Sequence, residues 1–145
     1  MSALGSVEMP GRLEVVGRGP LTVLDGAHNA AGMAALARSL IEEFDPAGVQ
    51  VAVVGMLAGR DPSAMLEPLL STGVRSLVVC TVNSPRAVPA ATICDAAQSM
   101  GFAAVAASSV GEALALARTQ AGDDGLVVVA GSLYVVAEAR EMLVG

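Results

Sequence analysis

The chain's single histidine lies in Asp25-Gly26-Ala27-His28-Asn29, between the apolar run Leu21–Leu24 and a small-residue pattern of helical spacing. A carboxylate, a glycine and an imidazole at the amino end of a helix suit an anionic ligand. Backbone N–H groups are unpaired there, negative charge is favoured, and glycine lets a ligand approach the main chain. Such a position also favours a neutral imidazole, which can donate a hydrogen bond to a phosphate or sugar oxygen. The structural alternative is that Asp25 caps the helix and His28 packs sideways. Other polar groups follow apolar runs in the same way: Arg60-Asp61 after Gly55, Asn83-Ser84-Pro85-Arg86 after Val82, and Gly131-Ser132 after Ala130. Each has a plain reading too. Asp61 before Pro62 is a good N-cap, Arg60 can be solvated, and Ser132 can cap the last helix. Arg12 before the first strand and Tyr134 in the last helix are surface residues by default.

Several chemistries are excluded. All eight basic residues are arginine. There is therefore no P-loop lysine, no Schiff base and no lysine general base. Gly17-Arg18-Gly19 runs into Pro20 rather than a helix, so no dinucleotide fingerprint is present. One histidine and two cysteines, Cys80 and Cys94, do not make a zinc site, and the thiols are expected to be buried and inert. The net charge of −6 and the scarcity of aromatic residues argue against nucleic acid as a partner.

The elements that must position these residues alternate along the chain. Strands are expected at Arg12–Val16, Leu21–Leu24, Val49–Gly55, Ser76–Val82, Phe102–Ala106 and Leu126–Ala130. The last four are nearly continuous apolar runs, as in strands covered on both faces of a parallel sheet. Helices are expected at Ala30–Phe44, from the Asp61 cap to about Leu70, at Pro89–Met100, from Ser109 to about Gln120, and from Ser132 toward Leu143. Met33, Leu36, Ala37, Leu40, Ile41 and Phe44 share one face of the first. The order β-β-α-β-α-β-α-β-α-β-α predicts an α/β fold. It is a single Rossmann-like domain with a mostly parallel sheet of about six strands and helices on both faces. In such sheets ligands bind outside the carboxyl ends of the strands, where the polar groups above emerge. At 145 residues and 54% apolar content the chain can bury a full core. It carries no signal peptide and no run long enough to span a bilayer, so a cytoplasmic location is expected.

The segments Met9–Val16, Leu24–Leu36, Val53–Leu66, Ser84–Ile93 and Val127–Leu143 together resemble the C-terminal domain of folylpolyglutamate synthase and dihydrofolate synthase, in the Mur ligase superfamily. The pairing of Pro10-Gly11-Arg12 with Asp25-Gly-Ala-His-Asn thirteen residues on from Arg12 is the most specific part. The resemblance implies ATP-dependent amide formation between L-glutamate and a folate, through an acyl phosphate. It implies ATP and magnesium held mainly by an N-terminal P-loop domain of the same protein, with this domain closing over the nucleotide. Arg12 then contacts ATP phosphates, Asp25 the ribose, and His28 stands beside the phosphates. Asp61 matches the acid of a lysine-aspartate pair, with Arg60 in place of the lysine; charge is kept and geometry is not. Ser132, Tyr134 and Arg60 lie near the incoming glutamate. Residues 1–8 read as a linker remnant and 9–145 as the domain. Without a P-loop the chain alone is expected to show no ligase turnover. The alternatives are a stand-alone, non-catalytic module for an anion or nucleotide, and the same domain of a ligase for another amino acid.

Overall fold

The computed structural model describes residues 13–144. Arg12 and the proposed linker 1–8 lie outside them. Six strands form one sheet: β1 (Glu14–Gly17), β2 (Leu21–Leu24), β3 (Gln50–Val54), β4 (Val74–Val79), β5 (Ala103–Ala106) and β6 (Leu126–Ala130). Their spatial order is β1-β2-β6-β3-β4-β5. Every pair is parallel except β1 with β2, which run antiparallel at one edge. The last strand in sequence is thus inserted between the second and third. All five residues of β6 are buried, as its unbroken apolar run requires at the centre of a sheet covered on both faces.

The helices are α1 (Ala30–Glu43), α2 (Pro62–Leu66), α3 (Ala90–Ser99), α4 (Val110–Ala121) and α5 (Leu133–Val144). Two cores result. Met33, Leu36 and Leu40 of α1 pack with Met65 and Leu66 of α2 and Ile93 of α3 against Ala52, Val54 and Val128. Ala113, Ala117, Val135 and Ala139 of α4 and α5 cover Val51, Val53, Val127 and Val129 on the other face. Alternate residues of β3 and β6 therefore serve opposite layers, which is the period-2 geometry of a strand.

Several element ends and one cap differ from expectation. The fourth strand starts at Val74 and stops at Val79; Cys80 N still donates to Val54 O at 3.0 Å, and the chain leaves the sheet beyond it. The helix expected to reach Leu70 changes at Glu67 into a 3-10 turn over Glu67–Ser71, with Pro68 near its start. Proline lacks the N–H that would continue an α-helical ladder. The cap of α1 is Asn29, whose side chain accepts from Gly32 N at 2.7 Å, rather than Asp25.

Candidate functional site

The strand order sets the site. Because β2, β6, β3 and β4 are neighbours, the loops leaving their carboxyl ends are neighbours as well, and four separate segments meet at one edge. A cavity of about 280 Å³ opens there, lined by His28, Arg60, Arg86, Ser132 and Tyr134 with Leu57, Ala58 and Gly59. A larger depression, about 600 Å³, lies at the β5 edge among Val49, Phe102 and Val105. No charged or titratable side chain lines it, so it offers no chemistry.

Asp25 is 6% exposed and is not among the residues that line the cavity. Its Oδ1 accepts from Ala27 N at 2.9 Å and its Oδ2 from Leu13 N at 3.0 Å. Leu13 has φ 51°, a left-handed conformation that costs a branched residue strain. The carboxylate thus braces the edge strand and the turn into His28. His28 is exposed, with Nδ1 2.9 Å from the Gly26 carbonyl. A carbonyl only accepts, so this bond needs the proton on Nδ1. Nε2 is then an acceptor in the neutral ring and a donor only in the imidazolium. This corrects the expectation of a neutral ring donating to an anion, because its one N–H is already committed to Gly26.

Arg60 reaches back from the loop after β3, donating from Nε to the His28 carbonyl at 3.2 Å. Asp61 accepts from Ser63 N at 3.0 Å, caps α2 and is not in the cavity wall. Ser132 is buried; its Oγ accepts from Val135 N at 3.1 Å and caps α5. Leu133 and Tyr134 stand 62% and 48% exposed at the rim. Gly131 has φ 115°, and a Cβ there would meet the Gly55 carbonyl oxygen at 2.5 Å, so the close approach of the β6 and β3 loops requires glycine. Gly59, with φ 99°, turns the next loop so that Arg60 faces the cavity.

The structure therefore brings together His28, Arg60, Ser132 and Tyr134 at one cavity, sets Asp25 as a brace on the neighbouring main chain, and leaves Asp61 out of the lining. Sequence reasoning gave Arg86 no role, although it leaves the same edge. The available signal was its position three residues past Asn83, after a buried strand. Its main-chain oxygen accepts from Ala58 N at 2.7 Å, and Val88 N donates to Met56 O at 2.9 Å. These bonds join the two loops as a short antiparallel pair, with Leu57 opposite Ala87. Behind this pair Cys80 is buried; burial first, and then the charge of Glu138, pushes its thiol up to about 12. It is no nucleophile. Among the described residues no three His, Cys, Asp or Glu side chains converge as a metal site would need.

The family described as Mur ligase, glutamate ligase domain matches over residues 11–133. A protein of Haloferax volcanii named "Probable bifunctional folylpolyglutamate synthase/dihydropteroate synthase" is 37% identical over 94% of the chain and 16% of its own length. Folylpolyglutamate synthase of Lacticaseibacillus casei is 32% identical over 98% of the chain and 31% of its own. Among solved structures, Mycobacterium tuberculosis folylpolyglutamate synthase complexed with ADP superposes with a TM-score of 0.85, at 29% identity, over 93% of the chain and 32% of that protein. A bifunctional folylpolyglutamate synthase/dihydrofolate synthase with manganese, AMPPNP and L-glutamate bound gives 0.83, at 30% identity, over 94% of the chain and 32% of that protein. The chain spans a third or less of the length of each of these relatives, and it matches their C-terminal domain.

Proposed function

Since the chain belongs to the Mur ligase, glutamate ligase domain family, we propose that it forms the nucleotide- and glutamate-facing half of an ATP-dependent ligase joining L-glutamate to a folate. The observation that carries this reading is the cavity at the carboxyl edge, where His28 and two arginines line one wall and no carboxylate does. Such a surface suits phosphoryl and carboxylate oxygens. In the reaction ATP phosphorylates a folate carboxylate, and the amine of glutamate displaces phosphate from the acyl phosphate. Negative charge grows on phosphoryl oxygens, so fixed donors around them lower the barrier.

Each residue has a part in this reading. Arg12 contacts phosphates and Asp25 lies at the ribose. His28, with Nδ1 held by Gly26, turns Nε2 to the phosphate side, where only the imidazolium form donates to a phosphate oxygen. Asp61 and Arg60 stand at the loop between nucleotide and amino acid, and Ser132 and Tyr134 face the incoming glutamate. Bound magnesium would offset phosphate charge. The family resemblance assigns its ligands to a P-loop domain elsewhere in the same protein. Residues 1–8 are then the connection to that domain, and 9–145 the domain itself. Among the described residues no helix is long and apolar enough to cross a membrane, which is compatible with a cytoplasmic ligase.

The test is an amide-resolved NMR titration of the chain with Mg-ADP. Shifts concentrated at 25–29 and 57–61 are the expected result, together with no folate- and glutamate-dependent ADP release by the chain alone. Turnover by the chain alone would overturn the half-site reading. Saturating ADP without shifts at that edge would overturn the nucleotide assignment.

A further inference from the structure

We propose that Glu138 is a positioning residue of this site: its carboxylate clasps helix α5 to the loop after β4, and so holds two walls of the cavity, one carrying Tyr134 and the other Arg86, at a fixed opening. The inference rests on the reading of the cavity above and adds to it a residue that touches no ligand.

The loops at this edge form two pairs. Gly131 N donates to Ala27 O at 2.9 Å, which joins the loops after β6 and β2. Ala58 N donates to Arg86 O at 2.7 Å and Val88 N to Met56 O at 2.9 Å, which joins the loops after β3 and β4. Both pairs line the cavity. Among the described residues two side-chain hydrogen bonds cross from the first pair, with the helix that follows it, to the second. Arg60 Nε donates to the His28 carbonyl at 3.2 Å, and Asn83 N donates to Glu138 Oε2 at 3.1 Å. One tie joins the β3 loop to the β2 loop; the other joins the β4 loop to α5.

The Glu138 tie is short on both sides. Glu138 lies one helical turn past Tyr134, so the two share a face of α5. On the loop side, the turn from Asn83 to Arg86 is closed by Arg86 N on Ser84 Oγ and by Ala87 N on the Ser84 carbonyl, both at 3.1 Å. Ala90 N donates to Thr81 Oγ1 at 2.9 Å and closes the base of the loop. Glu138 is not among the residues that line the cavity. An ionised acceptor makes the stronger kind of bond to a backbone N–H. An acid close to a cavity for anions is otherwise a cost, because it repels a carboxylate or phosphate. Removing Glu138 therefore has opposite signs under the two roles. Loss of a mere surface charge tightens anion binding, whereas loss of the clasp weakens it.

The experiment titrates the 145-residue chain, saturated with Mg-ADP, with L-glutamate. Amide shifts are read in the parent, Glu138→Ala, Glu138→Gln and Arg140→Gln, together with hydrogen exchange at the Asn83 amide. The parent is expected to shift at 83–87 and 131–134. Glu138→Ala should exchange faster at Asn83 and bind L-glutamate about fivefold to tenfold more weakly, the worth of one exposed charge-assisted hydrogen bond. Its ADP shifts at 25–29 should match the parent's. Glu138→Gln keeps an acceptor oxygen and drops the charge, so it should bind L-glutamate as tightly as the parent or more so. Arg140→Gln breaks the 2.6 Å ion pair to Glu14 on the same helix and should leave L-glutamate affinity unchanged. Equal or tighter binding in Glu138→Ala, a Glu138→Gln as weak as the alanine variant, or an equal loss in Arg140→Gln overturns the positioning role alone. A parent that binds Mg-ADP but not L-glutamate overturns this inference and the glutamate-facing part of the reading it rests on. A parent that binds neither overturns the nucleotide-facing part as well.

Discussion

Replacing Asp25 with alanine should destabilise the fold by about 2–4 kcal/mol, whatever it does to ligand binding. The carboxylate accepts two backbone N–H groups, from Ala27 in a buried setting and from Leu13 in a partly buried one. Each donor left without a partner costs about 1–3 kcal/mol, toward the upper end where water is excluded. Release of the left-handed Leu13 returns about 1 kcal/mol. For a domain of this size each kcal/mol moves the melting point by about 3 °C, so a fall of roughly 6–12 °C is expected. Asp25→Asn keeps one acceptor oxygen and turns an NH2 toward the other donor, so it should lose about half as much. Urea unfolding followed by circular dichroism reads the difference as a shift in midpoint at constant slope. An alanine variant within about 0.5 kcal/mol of the parent would refute the bracing role, because two unpaired donors cannot be that cheap.

Other predictions follow from the same geometry. Gly131→Ala forces a Cβ against the Gly55 carbonyl at φ 115°; thermal unfolding should show a loss of at least about 2 kcal/mol, far beyond the roughly 0.5–1 kcal/mol gain of glycine-to-alanine at a compatible site. Asn29→Ala removes the cap on Gly32 N and should cost about 1 kcal/mol, with amide exchange faster in the first turn of α1 than in α4. Cys80 holds its proton to about 12 against an ordinary 9.0, so between those values the folded chain binds more protons than the unfolded one. Its contribution is fully present below 9.0 and lost as pH rises toward 12. The loss is on the order of 4 kcal/mol. Urea midpoints of the parent should therefore fall more steeply above pH 9.0 than those of Cys80→Ala, and parallel slopes would contradict the burial argument.

Much of the architecture is local and was legible in the residues. Strands β2, β3 and β6 are apolar runs too short for helices, α1 carries Met33, Leu36 and Leu40 on one face, and Asp61, Ser109 and Ser132 cap the helices that follow them. Alternation of these elements dictates an α/β sheet with its loops at one edge. The absence of lysine dictates that no P-loop lysine comes from this chain. These conclusions need only periodicity, caps and residue types, which act within a few residues of one another.

What the tertiary structure decided is which loops meet. Parallel strands pair through main-chain hydrogen bonds that carry no address in the side chains, so β6 could have closed the sheet at an edge; it lies instead between β2 and β3. That placement brings Ser132 to the same cavity as His28 and Arg60, and the pairing of Met56–Ala58 with Arg86–Val88 adds Arg86 to it. The roles of Asp25 as brace and of Gly26 as the partner of His28 Nδ1 rest on contacts that only the folded turn creates. Long-range packing selected one strand order, and with it one set of neighbouring charges.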